Sequence, residues 1–181
     1  MKLYHIDRSG TLKTGNTIDL MKFNDIIWDV KERETILQDI VDDMYPEGVT
    51  RHGERYFLMK PVVNDTSFDV EMLFELVRLD KYKVKQSRFQ SFFAVDKDYF
   101  GAMFDKLQPD LNTAKIFEVE ADEVSKHDMN LLSKSSNLAS VAFARLYWEG
   151  ESLDNSLYEY LLKPPVKIIK EVTIEELLKS E

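Results

Sequence analysis

Apolar positions recur along this chain with two periods, and each change of period marks an expected element. "KLYHID" alternates Leu3 and His5 against Tyr4 and Ile6, which predicts a first strand, and "TLKTGNTIDL" reads as a turn and an extended connection. "DVKERETILQDIVDDMYP" places Val30, Ile36, Leu37, Ile40, Val41 and Met44 near helical spacing, with Pro46 closing the helix. "TSFDVEMLFELVRLDKY" repeats that pattern through Val70, Leu73, Leu76 and Val77, with Ser67 as its expected N-cap. "RFQSFFAV" is strand-like in its aromatic content, and "DKDYFGAMFDKL" follows as a helix capped by Asp96, with Tyr99, Met103, Phe104 and Leu107 on one face. "TAKIFEVEAD" alternates as a strand. "DMNLLSKS" and "NLASVAFARLYWEG" read as helices, the second ending at Gly150, which accepts the left-handed conformation of a helix end. "YEYLLKPPVKIIKEV" predicts strand, kink and strand around Pro164 and Pro165, because proline cannot donate to a sheet ladder. "TIEELLKS" opens with a Thr-x-x-Glu capping box.

The sum is an α+β chain, expected to form a single domain over residues 1–181. Repeats, low-complexity tracts and Gly/Ser linkers are absent, and Gly10 and Gly15 carry no phosphate-binding GxGxxG. Composition narrows the chemistry. Without a single cysteine, disulfides and thiolate metal sites are excluded, and His52 and His127 stand at no metal-ligand spacing, so no metal site is expected. No apolar stretch is long enough to span a bilayer, and "MKLYHIDRSG" lacks the apolar core of a signal peptide. The expectation is a cytoplasmic protein without membrane contact. A formal net charge of −9 opposes non-specific attraction to nucleic acid. Against that average, "KYKVKQSR" concentrates Lys81, Lys83, Lys85 and Arg88, either a solvated strand face or a phosphate-facing patch.

Three separated stretches carry a resemblance. "LYHID" resembles the aromatic-His first strand of the His–Tyr–Glu branch of ADP-ribosyltransferases, the diphtheria-toxin and poly-ADP-ribose-polymerase type. "SRFQSFFAVDKDYFGAMF" resembles the strand and helix that line their nicotinamide pocket, and "EYLLKPPVKII" resembles the strand that carries their glutamate. The run "ELVRLDKYKVKQSRFQSFFA … YWEGE … YEYLLKPPVKI" is similar, over Leu3 to about Val172, to an uncharacterised family of bacterial and phage proteins associated with that superfamily. What the resemblance implies is a pair of split antiparallel sheets with flanking helices and a cleft for NAD.

The resemblance assigns roles that each face a plainer competitor. His5 would bind ribose hydroxyls of NAD through its donor and acceptor nitrogens, or it is a satisfied histidine on a strand face. Glu159 would be catalytic. Rupture of the nicotinamide–ribose bond passes through an oxocarbenium-like state, which a fixed carboxylate stabilises, and the same group can take a proton from an acceptor. The competing reading of Glu159 is a solvated charge on an edge strand. Glu149 and Glu151, beside Trp148, are the rival carboxylates.

Phe92 stands where the branch carries tyrosine, so it keeps a stacking face and lacks the hydroxyl. Ser87 and Ser91 are the hydroxyl candidates, and Arg8 approximates the first-strand arginine of the related Arg–Ser–Glu branch. Tyr4 flanks the histidine. Phe92 and Phe93 would frame nicotinamide or belong to the core, and Arg88 would pair with the pyrophosphate or close a salt bridge. Leu157 occupies the place where arginine-modifying relatives carry Glu or Gln, which argues against arginine as acceptor.

The expected function is therefore mono-ADP-ribosyl transfer from NAD to a macromolecular acceptor, protein or nucleic-acid base, as in toxins and phage or defence factors, with an antitoxin-like partner conceivable. The alternatives are an NAD glycohydrolase, or a non-catalytic interaction protein of phage or prophage origin.

Overall fold

The structure, a computed structural model, describes residues 2–22, 34–59 and 65–178, with side chains described from residue 38 onward in the second stretch. In chain order the strands are β1 (Leu3–Asp7), β2 (Thr17–Ile18), β3 (Phe92–Ala94), β4 (Lys115–Glu120), β5 (Val124–Asp128), β6 (Tyr158–Leu162) and β7 (Val166–Val172). The helices are α1 (Glu34–Met44), α2 (Arg51–Gly53), α3 (Ser67–Lys81), α4 (Lys97–Leu107), α5 (Asn137–Glu149) and α6 (Ile174–Leu178).

The strands form two antiparallel sheets, one of four strands in the order β1-β4-β7-β2 and one of three in the order β3-β6-β5. Prolines 164 and 165 explain the division. The ladder cannot continue through them, so β6 ends in the smaller sheet and β7 begins in the larger. One backbone bridge stitches the sheets together, with Tyr4 N to Val95 O at 2.8 Å and Val95 N to Tyr4 O at 2.9 Å.

Alternation along the strands builds the layers. Tyr4, Ile6 and Ile116 of the larger sheet pack with Phe100 and Met103 of α4 and Leu177 of α6. Leu3, Phe117, Val119 and Ile168 point the other way, against Ala94, Tyr160 and Leu162 of the smaller sheet. Leu161 then faces outward from the smaller sheet, into a core with Phe74 of α3 and Ala144, Tyr147 and Trp148 of α5. Glu159 shares the parity of Leu161, so it too points at the layer of α3 and α5.

Most expected elements are present, and the differences have local causes. Asp96 caps α4 by accepting from Tyr99 N at 3.1 Å, Gly150 ends α5 at φ +85°, and Thr173 and Glu176 exchange the two bonds of a capping box. Ser67 does not cap α3. It is the first helical residue, and its N–H and hydroxyl both donate to Asp65, which stands two residues earlier. "RFQSFFAV" is strand only at Phe92–Ala94, because Arg88–Gln90 close a 3-10 turn. "DMNLLSKS" forms just the 3-10 turn Met129–Leu131, and the preceding Val124–Asp128, too polar to read as a strand, pairs with β6. "KYKVK" is the end of α3 at Lys81 followed by a solvated loop, and not a strand face, with Val84 almost fully exposed. Val30, and the side chains of Ile36 and Leu37, lie outside the described residues. Among the described residues no helix is long and apolar enough to cross a membrane.

Candidate functional site

Helix α3 departs most from its apolar pattern. Its buried residues are Phe68, Val70, Glu71, Phe74, Glu75 and Arg78, while Leu76 is half exposed. Glu71, Glu75 and Arg78 follow one another by four and three positions, so they occupy one stripe of the helix, and that stripe faces inward. A charged face can be buried only when each charge is paired, and each is. Arg78 grips Glu75 through Nε and Nη2, at 3.0 and 2.7 Å to Oε1, and Tyr45 donates to the same oxygen at 2.7 Å. The remaining Arg78 donor holds the carbonyls of Lys83 and Lys85 at 3.2 and 3.1 Å, which fixes the basic loop ahead of Arg88.

Glu71 is the other half of the stripe and belongs to a second cluster. Arg88, in the 3-10 turn, donates from Nε and Nη2 to the two oxygens of Glu71 at 2.7 and 2.9 Å. Its third nitrogen, Nη1, donates to Glu159 Oε1 and to the hydroxyl of Tyr147. Tyr147 donates in turn to the same Glu159 oxygen at 2.9 Å. The guanidinium lies over the rings of Phe93 and Tyr147, 4.8 and 5.4 Å from their centroids. Glu71, Arg88 and Glu159 are 7, 3 and 4 % exposed, so this is ion pairing in the interior and not surface pairing.

Electrostatics follow from that burial. Burial opposes charge on Glu71, but Arg88 and, secondarily, His52 more than offset it and hold the carboxyl well below its usual range. Burial likewise opposes charge on Arg88, and Glu159 and Glu71 overcome it, keeping the guanidinium charged. His52 brings Nε2 to 3.2 Å from Glu71 Oε2, off the line that a hydrogen bond requires, and that buried nitrogen has no hydrogen-bond partner among the described residues. Its ring lies against Phe93 and Tyr56 at 4.5 and 4.6 Å.

His127, opposite Glu159 in the β5–β6 register, stacks on Tyr147 at 4.4 Å. Its Nδ1 donates to Tyr147 O at 2.8 Å, so in the neutral ring Nε2 accepts from the Ser125 hydroxyl at 3.0 Å. Burial is the main reason that its pKa falls to about 4 from the ordinary 6.5. A depressed folded pKa means that the unfolded chain binds the extra proton, so this contribution is complete above pH 6.5 and lost on acidification toward 4. We expect denaturant stability to drop by on the order of 3 kcal/mol across that window from this group. Urea titrations of wild type and His127→Gln check it, the variant showing a flatter profile from neutral to mildly acid pH. Glu71 adds a second loss, beginning only below pH 4.5.

The expected site residues are now placed. His5, on β1, donates Nδ1–H to Phe93 O at 2.7 Å and tilts against Phe92 at 4.1 Å. Burial lowers its pKa, so the ring is neutral and Nε2 is its acceptor nitrogen. Phe92 and Phe93 are half-buried on β3, the first touching His5 and the second lying beneath Arg88. Of the two readings of Arg88 the salt bridge is the one observed. Ser87 accepts from Phe89 N at 3.1 Å and Ser91 donates to Ser87 O at 2.6 Å, so both buried hydroxyls hold the turn that presents Arg88. Tyr4 packs its ring toward α4, on the face opposite His5, and Arg8 is exposed in the turn after β1.

Glu159 is not an edge-strand charge, since β6 is the middle strand of its sheet. Its rivals stand apart: Glu149 is at the surface, accepting from Tyr82 at 2.5 Å, while Trp148 points inward to Phe74 O. Asp128 sets the entry to β6 by accepting from Leu157 N, Leu153 N and Asn130 N at 3.0, 2.9 and 3.0 Å. Sequence pattern alone gives Glu71, Tyr147 and His52 no place in this cluster, although the 71/75/78 stripe is a readable signal for the first. Among the described residues no group of three metal-ligating side chains converges.

No curated protein matches the chain. A sequence model of a family described as protein of unknown function (DUF2441) matches residues 3–175, from β1 into α6 and thus across every element of the cluster. The chain belongs to the DUF2441 family.

Proposed function

We propose that this protein cleaves NAD at the nicotinamide–ribose bond and transfers ADP-ribose to a macromolecular acceptor. The observation that carries this reading is convergence. β1 bridges Val95, the residue that follows β3, and β3 pairs with β6, so the three stretches that resemble ADP-ribosyltransferases lie side by side. They are joined further by His5 on Phe93 O and by Arg88, which covers Phe93 and binds Glu159.

The residues fit a flat, cationic ring next to a ribose. Phe92, on the face of β3 that carries His5, offers a partly open ring for stacking, Phe93 points to the opposite face beneath Arg88, and the acceptor Nε2 of neutral His5 suits a ribose hydroxyl. Two carboxylates share one guanidinium, so these three groups together carry a net negative charge in a poorly screened interior. Such a field favours the transition state, in which the carbon–nitrogen bond breaks, its electron pair leaves with nicotinamide, and positive charge develops on the ribose. Arg88 and Tyr147 both bind Oε1 of Glu159, and Oε2 makes no hydrogen bond among the described residues, so Oε2 is the atom left for the 2-hydroxyl. An acceptor nucleophile then bonds to the same carbon and gives its proton to the Glu159 carboxylate. In this reading the enzyme works in the cytoplasm, where NAD is at hand.

The test is incubation of the purified chain with adenine-labelled NAD and cell lysate, following free nicotinamide and macromolecular label together. Nicotinamide release with label on an acceptor is the expected result. Release without label would make the protein a glycohydrolase. Absence of release, together with no rise in Tm at millimolar NAD, overturns the reading, because a ligand at 100 times its Kd should add about 2.7 kcal/mol.

A further inference from the structure

Arg88 has more to do than balance charge. We infer that Arg88 is a positioning residue for Glu159, and that Glu71 positions Arg88 in turn; this rests on Glu159 being the working carboxylate of the proposed reaction. Glu71 takes the Nε and Nη2 edge of the guanidinium in a two-pronged contact, which fixes the plane and rotation of the group. Phe93 and Tyr147 cover it and restrain tilting. With edge and plane both set, Nη1 has a single direction, and Glu159 Oε1 lies there.

The relay needs all three elements that carry it: α3 for Glu71, the 3-10 turn for Arg88 and the middle strand for Glu159. Ser87 and Ser91 hold the turn, so their buried hydroxyls serve the placement of Arg88 as well. A point charge on a flexible stem would not transmit that alignment, and lysine is thus no substitute.

The groups that face Glu159 can be enumerated. Arg88 is the cation in contact, Tyr147 from α5 donates a hydrogen bond, and Glu71 from α3 adds a like charge. His127, across the register on β5, uses its nitrogens on Tyr147 O and Ser125, and Lys85 acts on His127 from the loop beyond. His52 reaches Glu71 from α2. From β3, the packed residues Phe93 and Ala94 bring no charge. Among these described residues, Arg88 alone compensates the Glu159 carboxylate at contact distance.

Loss of Arg88 therefore leaves Glu159 buried beside a second carboxylate with no cation in contact. The experiment reads kcat and KM of nicotinamide release together with the Glu159 carboxyl resonance, by NMR on protein labelled with 13C at the glutamate side chain, with Glu159→Gln and Glu71→Gln identifying the two resonances. In Arg88→Gln that resonance is expected to move from its wild-type position and kcat to fall about tenfold or more, with KM for NAD little changed. Arg88→Lys should recover only part of kcat, because a point charge does not hold the carboxylate in one orientation. Glu71→Gln should lower kcat about tenfold, since it removes the brace and one of the two negative charges.

Arg88→Lys and Glu71→Gln are also the variants that decide the matter if Arg88→Gln does not fold. A Glu159 carboxyl resonance unmoved by the Arg88 variants, or a kcat unchanged in Glu71→Gln, overturns the relay. A wild type that releases no nicotinamide would sink the enzymatic reading by itself, and the carboxyl resonances would still judge the relay.

Discussion

Glu159→Gln is expected to slow nicotinamide release by roughly a hundredfold or more, the size seen when a preorganised transition-state group is removed. Glutamine keeps the shape of the side chain and a carbonyl oxygen for Tyr147 and Arg88, so the β6 strand and its neighbours should hold. What disappears is the charge. In the variant Arg88 and Glu71 neutralise one another, and the field that favoured a cationic ribose vanishes. The effect should therefore fall on kcat, with KM for NAD changed little, because the ground-state contacts proposed for His5 and Phe92 do not involve the altered group. Steady-state nicotinamide release, with near-ultraviolet dichroism to verify packing, checks it. A loss below about fivefold would remove Glu159 from the chemistry.

Arg88→Met should destabilise the protein by about 3–5 kcal/mol near neutral pH, the range for breaking a buried pair by removal of one partner. The methionine keeps an apolar stem against Phe93 and Tyr147, so packing is a minor part of the loss. The major part is two carboxylates left facing each other in the interior. Relief comes only by protonating one of them, which gives the prediction a sign in pH. Arg88 holds the Glu71 pKa below its unfolded value, so the wild type draws on this pair fully above pH 4.5 and loses it in acid. The gap between wild type and variant should accordingly narrow on acidification. Urea unfolding at pH 7 and pH 5 measures both, and a loss under about 1 kcal/mol at pH 7 would mean that water reaches the cluster.

Much of the fold was legible because it is local. Asp96, Gly150, Thr173 and Glu176 act within a few residues of themselves, and the prolines at 164 and 165 break a ladder wherever they stand. What misled was the rule that charge points outward. Glu71, Glu75 and Arg78 break it on α3, which moves the buried face away from Leu76, and polar Val124–Asp128 carries no local strand signal, because its partner on β6 is thirty-odd residues away.

The site divides in the same way. Glu159, His5, Phe92, Phe93 and Arg88 could be nominated from the chain, since short motifs carry them. Their partners could not: Tyr147 lies 12 residues from Glu159, and Arg88 lies 17 from Glu71 and 71 from Glu159. The sequence by itself determined the helix ends, the break between β6 and β7, and the absence of thiol chemistry, all properties of a residue and its near neighbours. Tertiary structure alone decided that Glu159 sits in a middle strand, that Arg88 binds two carboxylates in place of solvent, and that His5 is neutral. Those outcomes depend on burial and on pairing at contact distance, and only the packed chain sets either.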